Sequence, residues 1–180
     1  MCNERKILLH VCCGPCSTSS IERLLTEGWH PVLYFSNSNI DTLEEFEKRY
    51  SELLKVARMN NLEVIKDIYD HDAWHRAVAG YESEREGGAR CTLCFAFNLE
   101  RAHLKAQELG IPHFTTTLSV SRFKNSKTIF SIGGKMEGFE KIDFKKKDGF
   151  NRSIVLSKEM GLYRQNYCGC EYSRREREKA

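Results

Sequence analysis

The chain has 180 residues and a mass of 20.9 kDa, which fits one compact domain. Its 41% hydrophobic and 29% charged residues and its net charge of +3 are typical of a soluble globular protein. No apolar run approaches the roughly 20 residues that span a bilayer, and residues 1–10 lack a signal-peptide core, so we expect a cytoplasmic protein without a membrane partner.

Short apolar stretches alternate with amphipathic ones along most of the chain. The stretches that predict strands are residues 6–11, 31–35, 62–69 and 113–118, with a further extended segment at 142–144. The segments that predict helices are residues 17–26, a long helix capped by Asp41, a short one over 74–79 capped by Asp70 or Asp72, and 91–109, 126–136 and 153–160. Residues 81–90 are charged and Gly-rich, which predicts a mobile loop, and the chain is expected to be irregular from Tyr163 to Cys170.

This alternation predicts a single α/β domain over residues 1–180, with a parallel sheet flanked by helices and a charged C-terminal tail at 174–180. In such sheets, ligands bind beyond the carboxyl ends of the strands. Cys12 and Cys13 stand where the first strand should end. Their thiolates would face the N-terminus of the next helix, where the helix dipole favours negative charge.

Seven of the eight cysteines fall into three clusters, and only Cys2 stands apart. The clusters are Cys12, Cys13 and Cys16, then Cys91 and Cys94, then Cys168 and Cys170. Thiols one to three residues apart can converge on one metal centre, so the pattern predicts a polythiolate site, with an iron–sulfur cluster favoured. Zinc sites and dithiol redox sites share the C-x-x-C spacing, and Cys16 can be either a further ligand or a packed thiol.

The pair Cys168–Cys170 is compatible with two kinds of chemistry. Gly169 between them permits unusual backbone angles, so the pair can close as a strained disulfide or hold a metal ion. A zinc-stabilised fold without catalysis is the structural alternative for all seven cysteines. A closed zinc site normally uses four ligands, which is fewer than the chain provides.

Basic residues concentrate in the second half of the chain. Residues 1–90 contain 11 Lys and Arg against 15 Asp and Glu, a net of −4, whereas residues 91–180 contain 17 against 10, a net of +7. This surplus suits a phosphate backbone, although a solvated surface with a basic tail would look the same. The candidates for phosphate contacts are Arg90, Arg122, Lys124, Lys145, Lys146 and Lys147.

Other polar side chains receive structural interpretations. We expect His10 to be a hydrogen-bonded core histidine, Tyr163 and Tyr167 to pack, and His71 and His75 to lie on a solvated helix face rather than to bind metal.

The motifs HVCCGPCS, GGARCTLCF, DFKKKDGFNRS and LYRQNYCGC together resemble the QueH-type epoxyqueuosine reductases, from about residue 6 to residue 173. The resemblance implies a Rossmann-like fold of the nucleotide hydrolase superfamily and the reduction of epoxyqueuosine to queuosine at the wobble position of tRNA. It also implies a [4Fe–4S] cluster held by Cys12, Cys13, Cys91 and Cys94. Gly14 stands where Ala is common in the family, and the SNSNI loop with Asn37 and Asn39 is a looser match to its Asn-Pro-Asn pattern.

Within that resemblance, Cys168 and Cys170 are redox-active or are ligands of an adjacent mononuclear iron. Asp143 is our candidate for the carboxylate that completes such an iron site, since two thiolates and a carboxylate leave a position open for the epoxide oxygen. The electron donor is not identified by the sequence. Two rival hypotheses are a zinc-stabilised RNA-binding module without turnover and a tRNA sulfur transferase or ATP-using enzyme, although the Gly-rich loop usual in the latter is replaced here by CCGPCS.

Overall fold

A parallel β-sheet organises the chain in this computed structural model, which describes residues 5–180. Cys2 lies outside the described residues. The strands are β1 (Arg5–Val11), β2 (Trp29–Phe35), β3 (Val64–Lys66) and β4 (Phe114–Thr116). The α-helices are α1 (Gly14–Thr26), α2 (Leu43–Asn60), α3 (His71–Val78), α4 (Ala89–Glu108), α5 (Ser126–Gly133), α6 (Gly149–Glu159) and α7 (Glu171–Lys179). A short 3₁₀ helix, Thr117–Val120, follows β4.

The strand order is β3-β2-β1-β4, and every pairing in the sheet is parallel. The chain first moves from β1 to β2 and β3, and later returns to place β4 on the other side of β1. The direction of winding therefore reverses at β1, and the carboxyl end of β1 is the topological switch point.

Helices cover both faces of the sheet because β1 is apolar on both of its faces. Ile7, Leu9 and Val11 belong to one core with residues of α1 and α2, whereas Leu8 packs with Ala102 of α4 on the other face. All four β1 residues are 0% exposed. The predicted α/β architecture, a Rossmann-like single domain with helices flanking a parallel sheet, is confirmed.

Several predicted boundaries are wrong because local side-chain bonds end the elements early. β4 stops at Thr116, whose Oγ1 accepts the Leu118 N–H at 3.1 Å and starts the 3₁₀ helix. β3 is shorter than predicted because the Asp67 carboxylate accepts the Ile68 N–H at 2.9 Å, turning the chain. Thr42, not Asp41, caps α2 by accepting the Glu45 N–H at 3.2 Å.

Three segments differ from their predicted form. Residues 142–144 join no strand, because Ser119 Oγ donates to the Ile142 carbonyl and accepts the Phe144 N–H. The predicted mobile loop at 81–90 folds back on the Arg90 guanidinium, which donates to three of the loop's carbonyl oxygens. Residues 171–179 form α7, so most of the charged tail is helical.

Asp67 joins three segments beyond the carboxyl ends of β2 and β3. Its Oδ2 accepts hydrogen bonds from Ser36 Oγ at 2.6 Å and from Arg101 Nε at 2.7 Å. Burial acts to raise the pKa of the Asp67 carboxyl, but hydrogen bonds from Arg101, Ser36 and Tyr34 outweigh burial, and the pKa lies below its ordinary value. The ionised carboxylate therefore ties α4 to the sheet.

We expect Asp67→Asn to lower the free energy of unfolding at neutral pH by about 2 kcal/mol, because Arg101 loses its charged partner. The folded-state pKa is lowered, so the wild-type advantage is complete above the unfolded pKa of about 4 and is lost as pH falls through the lower folded pKa. Urea unfolding of both proteins across this range measures the difference. A gap that stays constant down to about pH 2 would contradict the assignment.

Candidate metal centre

Cys12 and Cys13 lie at the switch point, directly after β1. Cys13 caps α1, and its Sγ accepts the Cys16 N–H at 3.4 Å. Pro15 occupies the first turn of α1, where its missing N–H is tolerated. Gly14 lets α1 pack closely on α2, because a Cβ there would lie 3.0 Å from the carbonyl carbon of Glu52 and would need a small shift of that neighbour. The helix can therefore start immediately after the cysteine pair.

The sulfurs of Cys12, Cys13 and Cys16 lie within 4.8 Å of one another, and the first two are 4.0 Å apart. Hydrogen bonds from the thiols of Cys12 and Cys16 hold the pKa of Cys13 well below its ordinary value. The contact with Cys13 and burial raise the pKa of Cys12 to about 12, and contacts with both neighbouring thiols raise the pKa of Cys16 above its ordinary range. Negative charge is therefore most favourable on Cys13. Together the three thiols can hold a metal ion, which would deprotonate its ligands outright.

Cys91 and Cys94 lie on the first two turns of α4, three residues apart, so their sulfurs share one face of the helix. The Gly87 N–H donates to Cys91 Sγ at 3.2 Å, and Asn98 Nδ2 donates to Cys94 Sγ at 3.6 Å. Burial raises the pKa of both thiols above the ordinary value. They are therefore neutral unless a cation compensates the cost of burying the thiolates.

Cys168 and Cys170 are held in the segment between α6 and α7. Gly169 adopts φ 149°, a conformation that favours glycine, and a Cβ there would lie 3.2 Å from Asn39 Nδ2. Arg49 donates to the Cys168 carbonyl oxygen at 2.8 Å. Cys170 caps α7 by accepting the Ser173 N–H at 3.4 Å, and burial raises its pKa to about 12. Backbone contacts thus fix the pair while leaving its sulfurs to face a cavity.

One cavity of about 370 Å³ is lined by all seven clustered cysteines. Three helix N-termini meet it, since Cys13 and Cys170 cap α1 and α7 and Cys91 stands in the first turn of α4. Helix N-termini favour negative charge. Lys124 also lines the cavity. Burial acts to lower its pKa, but thiolate charges from the cysteines outweigh burial and raise it.

The cavity wall fits a bound anionic metal–thiolate group. Six polar atoms of its lining residues are buried without a hydrogen-bond partner among residues 5–180. Two are the acceptors Gln165 Oε1 and Asn98 Oδ1, and four are donors that an anionic group could satisfy, namely Arg49 Nη2, Trp74 Nε1, Arg90 Nε and Arg90 Nη2. Unsatisfied buried polar atoms are rare in folded proteins and indicate a missing partner. Soft thiolate donors select zinc, copper(I) or iron–sulfur groups over hard cations.

The structure brings together most, but not all, of the predicted site residues. Cys12 and Cys13 are adjacent, and Cys91, Cys94, Cys168 and Cys170 lie around the same cavity. Among the described residues, the cysteine group within 4.8 Å contains Cys16 instead of a residue from α4. Sequence reasoning left Cys16 undecided, although its spacing of one helical turn from Cys13 was a visible signal.

Asp143 does not line the cavity. Its Oδ1 accepts hydrogen bonds from Ser126 Oγ at 3.3 Å and from the Lys145 N–H at 3.2 Å, so the carboxylate orders the chain before α6. The acidic residue on the cavity wall is Glu86, whose Oε2 accepts a hydrogen bond from Ser173 Oγ at 3.3 Å. No motif distinguishes Glu86 in the sequence, because it is one of several acidic residues in the charged loop before α4.

Two candidates for phosphate contacts, Arg90 and Lys145, form hydrogen bonds within the protein instead. Arg90 is 1% exposed and bonds the loop before α4, and Lys145 Nζ donates to the carbonyl oxygens of Ser121 and Lys124. The buried Arg90 therefore cannot contact a phosphate backbone in this conformation.

Three other polar side chains, His10, Tyr163 and Tyr167, form hydrogen bonds that stabilise the fold. His10 is 0% exposed, with Nδ1 2.9 Å from Thr116 Oγ1 and Nε2 2.8 Å from the Ser36 carbonyl, and burial lowers its pKa to about 4. The prediction of a core histidine is confirmed. Tyr163 and Tyr167 donate their hydroxyl protons to carboxylates, which agrees with packing roles.

The predicted solvated face of α3 is wrong for His71 but holds in part for His75, which is 40% exposed. His71 and His75 both reach Glu171 of α7, and His71 is 17% exposed.

In the described part of the chain, no helix combines the length and apolar character that crossing a membrane requires.

A protein-family model described as Epoxyqueuosine reductase QueH matches residues 7–176, a span that includes all seven clustered cysteines. Curated proteins of that name are similar to this chain. The relative from Acinetobacter baylyi is 37% identical over 180 residues, covering 97% of this chain and 83% of its own length. The relative from Thermotoga maritima is 38% identical over 182 residues, covering 95% and 91%. The relative from Streptococcus pyogenes is 37% identical over 178 residues, covering 93% and 69%.

Proposed function

The chain belongs to the family of QueH epoxyqueuosine reductases, and we propose that it reduces epoxyqueuosine to queuosine in tRNA at its cysteine-lined cavity. The resemblance expected from the sequence motifs is thereby confirmed. The observation that carries the proposal is the convergence of seven thiols from three distant segments on one cavity. A zinc-stabilised RNA-binding module without catalysis is not favoured, because the matched relatives are named as reductases.

The reaction removes the epoxide oxygen and leaves an alkene. Two electrons and two protons are consumed, and the oxygen departs as water. The chain must therefore supply a path for electrons and a place where the oxygen is protonated. Clustered thiols at the meeting point of three helix N-termini suit an electron-carrying iron–sulfur group.

We assign Cys12, Cys13, Cys91 and Cys94 as ligands of a [4Fe–4S] cluster. These thiols belong to the junction of β1 and α1 and to the first two turns of α4, and all four line the cavity. An iron–sulfur cluster is larger than a single metal ion. Sulfurs spread around a cavity therefore suit a cluster better than they suit one ion. When bound, the group supplies electrons to the reaction. Cys16 would then not bind the cluster, because the other four thiols complete its set of ligands.

We assign Cys168 and Cys170 as a second reactive centre. As a dithiol, the pair provides two electrons and two protons when it closes to a disulfide, which balances the removal of one oxygen as water. As ligands, the same two thiolates would hold an adjacent iron with an open position for the substrate oxygen. Glu86 is the carboxylate that lines the cavity together with these two cysteines. Asp143 does not line it and therefore has no role in this second centre.

Side chains at the cavity mouth suit a base from an RNA loop. Phe123 is 66% exposed and lines the cavity, and the Arg177 guanidinium lies 5.3 Å from the centre of its ring. Arg164 lines the same cavity. Proteins recognise single-stranded RNA loops by stacking unpaired bases on aromatic rings and guanidinium groups. We place the reaction in the cytoplasm, where thiols stay reduced, with an unidentified electron donor.

Anaerobic purification followed by analysis of iron, acid-labile sulfide and zinc tests this proposal directly. We expect a brown protein whose visible absorbance is bleached by dithionite, since iron–sulfur centres are coloured and reducible. Incubation with epoxyqueuosine-containing tRNA and dithionite should convert the nucleoside to queuosine, as measured by mass spectrometry of the digested tRNA. Colourless protein with stoichiometric zinc and unchanged tRNA would instead establish the RNA-binding alternative.

A further inference from the structure

A second group of metal-ligating side chains lies outside the cysteine-lined cavity. His71 and His75 of α3 and Glu171 of α7 place one ligand atom each within 4.8 Å of the others. His75 Nε2 lies 2.6 Å from Glu171 Oε1, and His71 Nε2 lies 3.4 Å from Glu171 Oε2. Among residues 5–180, the only other group of three or more possible metal ligands this close together is the cysteine triad.

Local structure brings the two histidines to one side of α3. Asp70 caps the helix by accepting the Ala73 N–H at 2.9 Å, which fixes its first turn. His71 and His75 then lie four positions apart, so their side chains are neighbours on one face of the helix. Two histidines at this spacing on a helix are a recurrent arrangement for binding zinc. Glu171 arrives from a distant part of the chain as the first residue of α7.

The hydrogen bond at the far side of His71 determines which nitrogen can bind a cation. His71 Nδ1 lies 2.7 Å from the Ser38 carbonyl oxygen, which can only accept, so Nδ1 carries the proton. In the neutral ring, Nε2 is then an acceptor aimed at Glu171. A metal-binding histidine is typically oriented by such a bond from its other ring nitrogen to a carbonyl or carboxylate oxygen.

The contact between His71 and Glu171 requires a bridging positive charge. Glu171 Oε2 is buried, has no hydrogen-bond partner among the described residues, and lies 3.4 Å from His71 Nε2. Two acceptors at 3.4 Å repel each other unless a proton or a metal cation lies between them. The Glu171 side chain is 14% exposed, so water compensates little of that repulsion. His75, 40% exposed, leaves one side of the group open.

We propose that His71, His75 and Glu171 bind a divalent cation of the zinc type, with water completing the coordination. Two imidazole nitrogens and one carboxylate oxygen form a His₂Glu donor set that zinc accepts in a tetrahedral arrangement. Zinc is also preferred because imidazole ligands disfavour magnesium and calcium, which take oxygen donors. The cation joins α3 to α7 at the residue that follows Cys170. It therefore holds the Cys168–Cys170 segment in place from outside the cavity.

The ring of Trp74 separates the two centres. Trp74 is 1% exposed, lines the cysteine cavity, and packs against Cys94 and Cys170. On its other side, the His71 ring stacks on it at 5.3 Å between centres, with 16° between the planes. The proposed cation thus shares no ligand with the iron–sulfur group. Zinc uptake would remain even if the reductase proposal failed.

Zinc titration of the full-length, anaerobically purified protein with its cysteine-bound metal in place tests the proposal. After dialysis against a mild chelator, ZnCl₂ alone is added, and zinc per chain is measured calorimetrically and by elemental analysis. Wild-type protein should take up one zinc more than Glu171→Gln or His75→Asn. We expect each substitution to weaken this binding by about 100-fold or more, because loss of only an outer hydrogen-bonding partner of a ligand costs 10- to 100-fold.

His113→Asn is the matched control. His113 Nδ1 lies 2.7 Å from Glu140 Oε1, which reproduces the His–carboxylate pair without a third ligand among the described residues. Its zinc uptake should equal that of wild type. Cobalt(II) at the site should lack the thiolate-to-metal absorption that cysteine ligands produce.

Equal zinc uptake by wild type, Glu171→Gln and His75→Asn would overturn the proposal, since a proton alone would then bridge the group. A thiolate band in the part of the cobalt spectrum that His75→Asn removes would overturn it as well. Should Glu171→Gln fail to fold by circular dichroism, the partly exposed His75→Asn decides. Zinc should also raise the melting temperature of wild type but not that of His75→Asn.

Discussion

Cys91→Ala is expected to abolish the brown colour of the anaerobically purified protein. Cys91 is one of two thiols that α4 contributes to the cavity, and the neighbouring Cys94 cannot replace it because a second sulfur would be missing from that wall. Loss of a direct ligand should weaken cluster binding by roughly 100-fold or more, exceeding the effect of losing an outer hydrogen-bonding partner. Iron and acid-labile sulfide should fall together.

The matched control for this variant is Thr92→Ala. Thr92 is an exposed residue on the same helical turn, and its replacement leaves every sulfur in place. Its iron and sulfide content should equal that of wild type. Because Cys91 is only partly buried, the alanine variant should stay folded, which circular dichroism verifies. Unchanged cluster content in Cys91→Ala would refute the ligand assignment.

Cys168→Ala is expected to keep the brown colour and lose the conversion of epoxyqueuosine. The backbone of this segment is held by Arg49 at the Cys168 carbonyl and by the Asp41 N–H at the Gly169 carbonyl, so removing the sulfur leaves the loop in place. If the sulfur reacts or holds a reacting iron, kcat should fall by about a thousandfold or more, the scale seen when an essential reacting group is removed.

Metal analysis of the same variant separates the two forms of the second centre. Loss of one iron per chain with unchanged sulfide identifies Cys168 as a ligand of an adjacent iron. Unchanged iron and sulfide identify a redox dithiol, which thiol counting before and after one turnover then confirms. Full activity of Cys168→Ala would eliminate a second reactive centre at this pair.

The sheet and the positions of the cysteine clusters could be predicted because they depend on local sequence. A run such as Ile7–Val11, apolar except for His10, marks a strand buried on both faces, and the cysteines follow it directly. The end of that strand, at the edge where parallel strands finish, is where a ligand site is expected in this architecture. The placement of the vicinal pair therefore required no knowledge of distant contacts.

Contacts between distant segments could not be predicted in this way. His71 and His75 looked like a solvated face because Glu171, which turns them into a cluster, follows long after them in sequence. Asp143 looked like a ligand because of its neighbours in sequence, yet Ser126 and a backbone N–H already hold its carboxylate. Asp67 and Arg101 likewise meet only after folding.

The division of the centre among three segments sets the order of its assembly in the cell. The ribosome releases the vicinal pair Cys12–Cys13 first, the α4 thiols later and the Cys168–Cys170 pair last, while domains generally fold as units. Nascent chains consequently expose reactive thiols without the partners that would protect them. Insertion of the proposed metal group is thus expected to be a late maturation step, and chains interrupted before residue 168 would carry an incomplete set of cysteines that is vulnerable to oxidation.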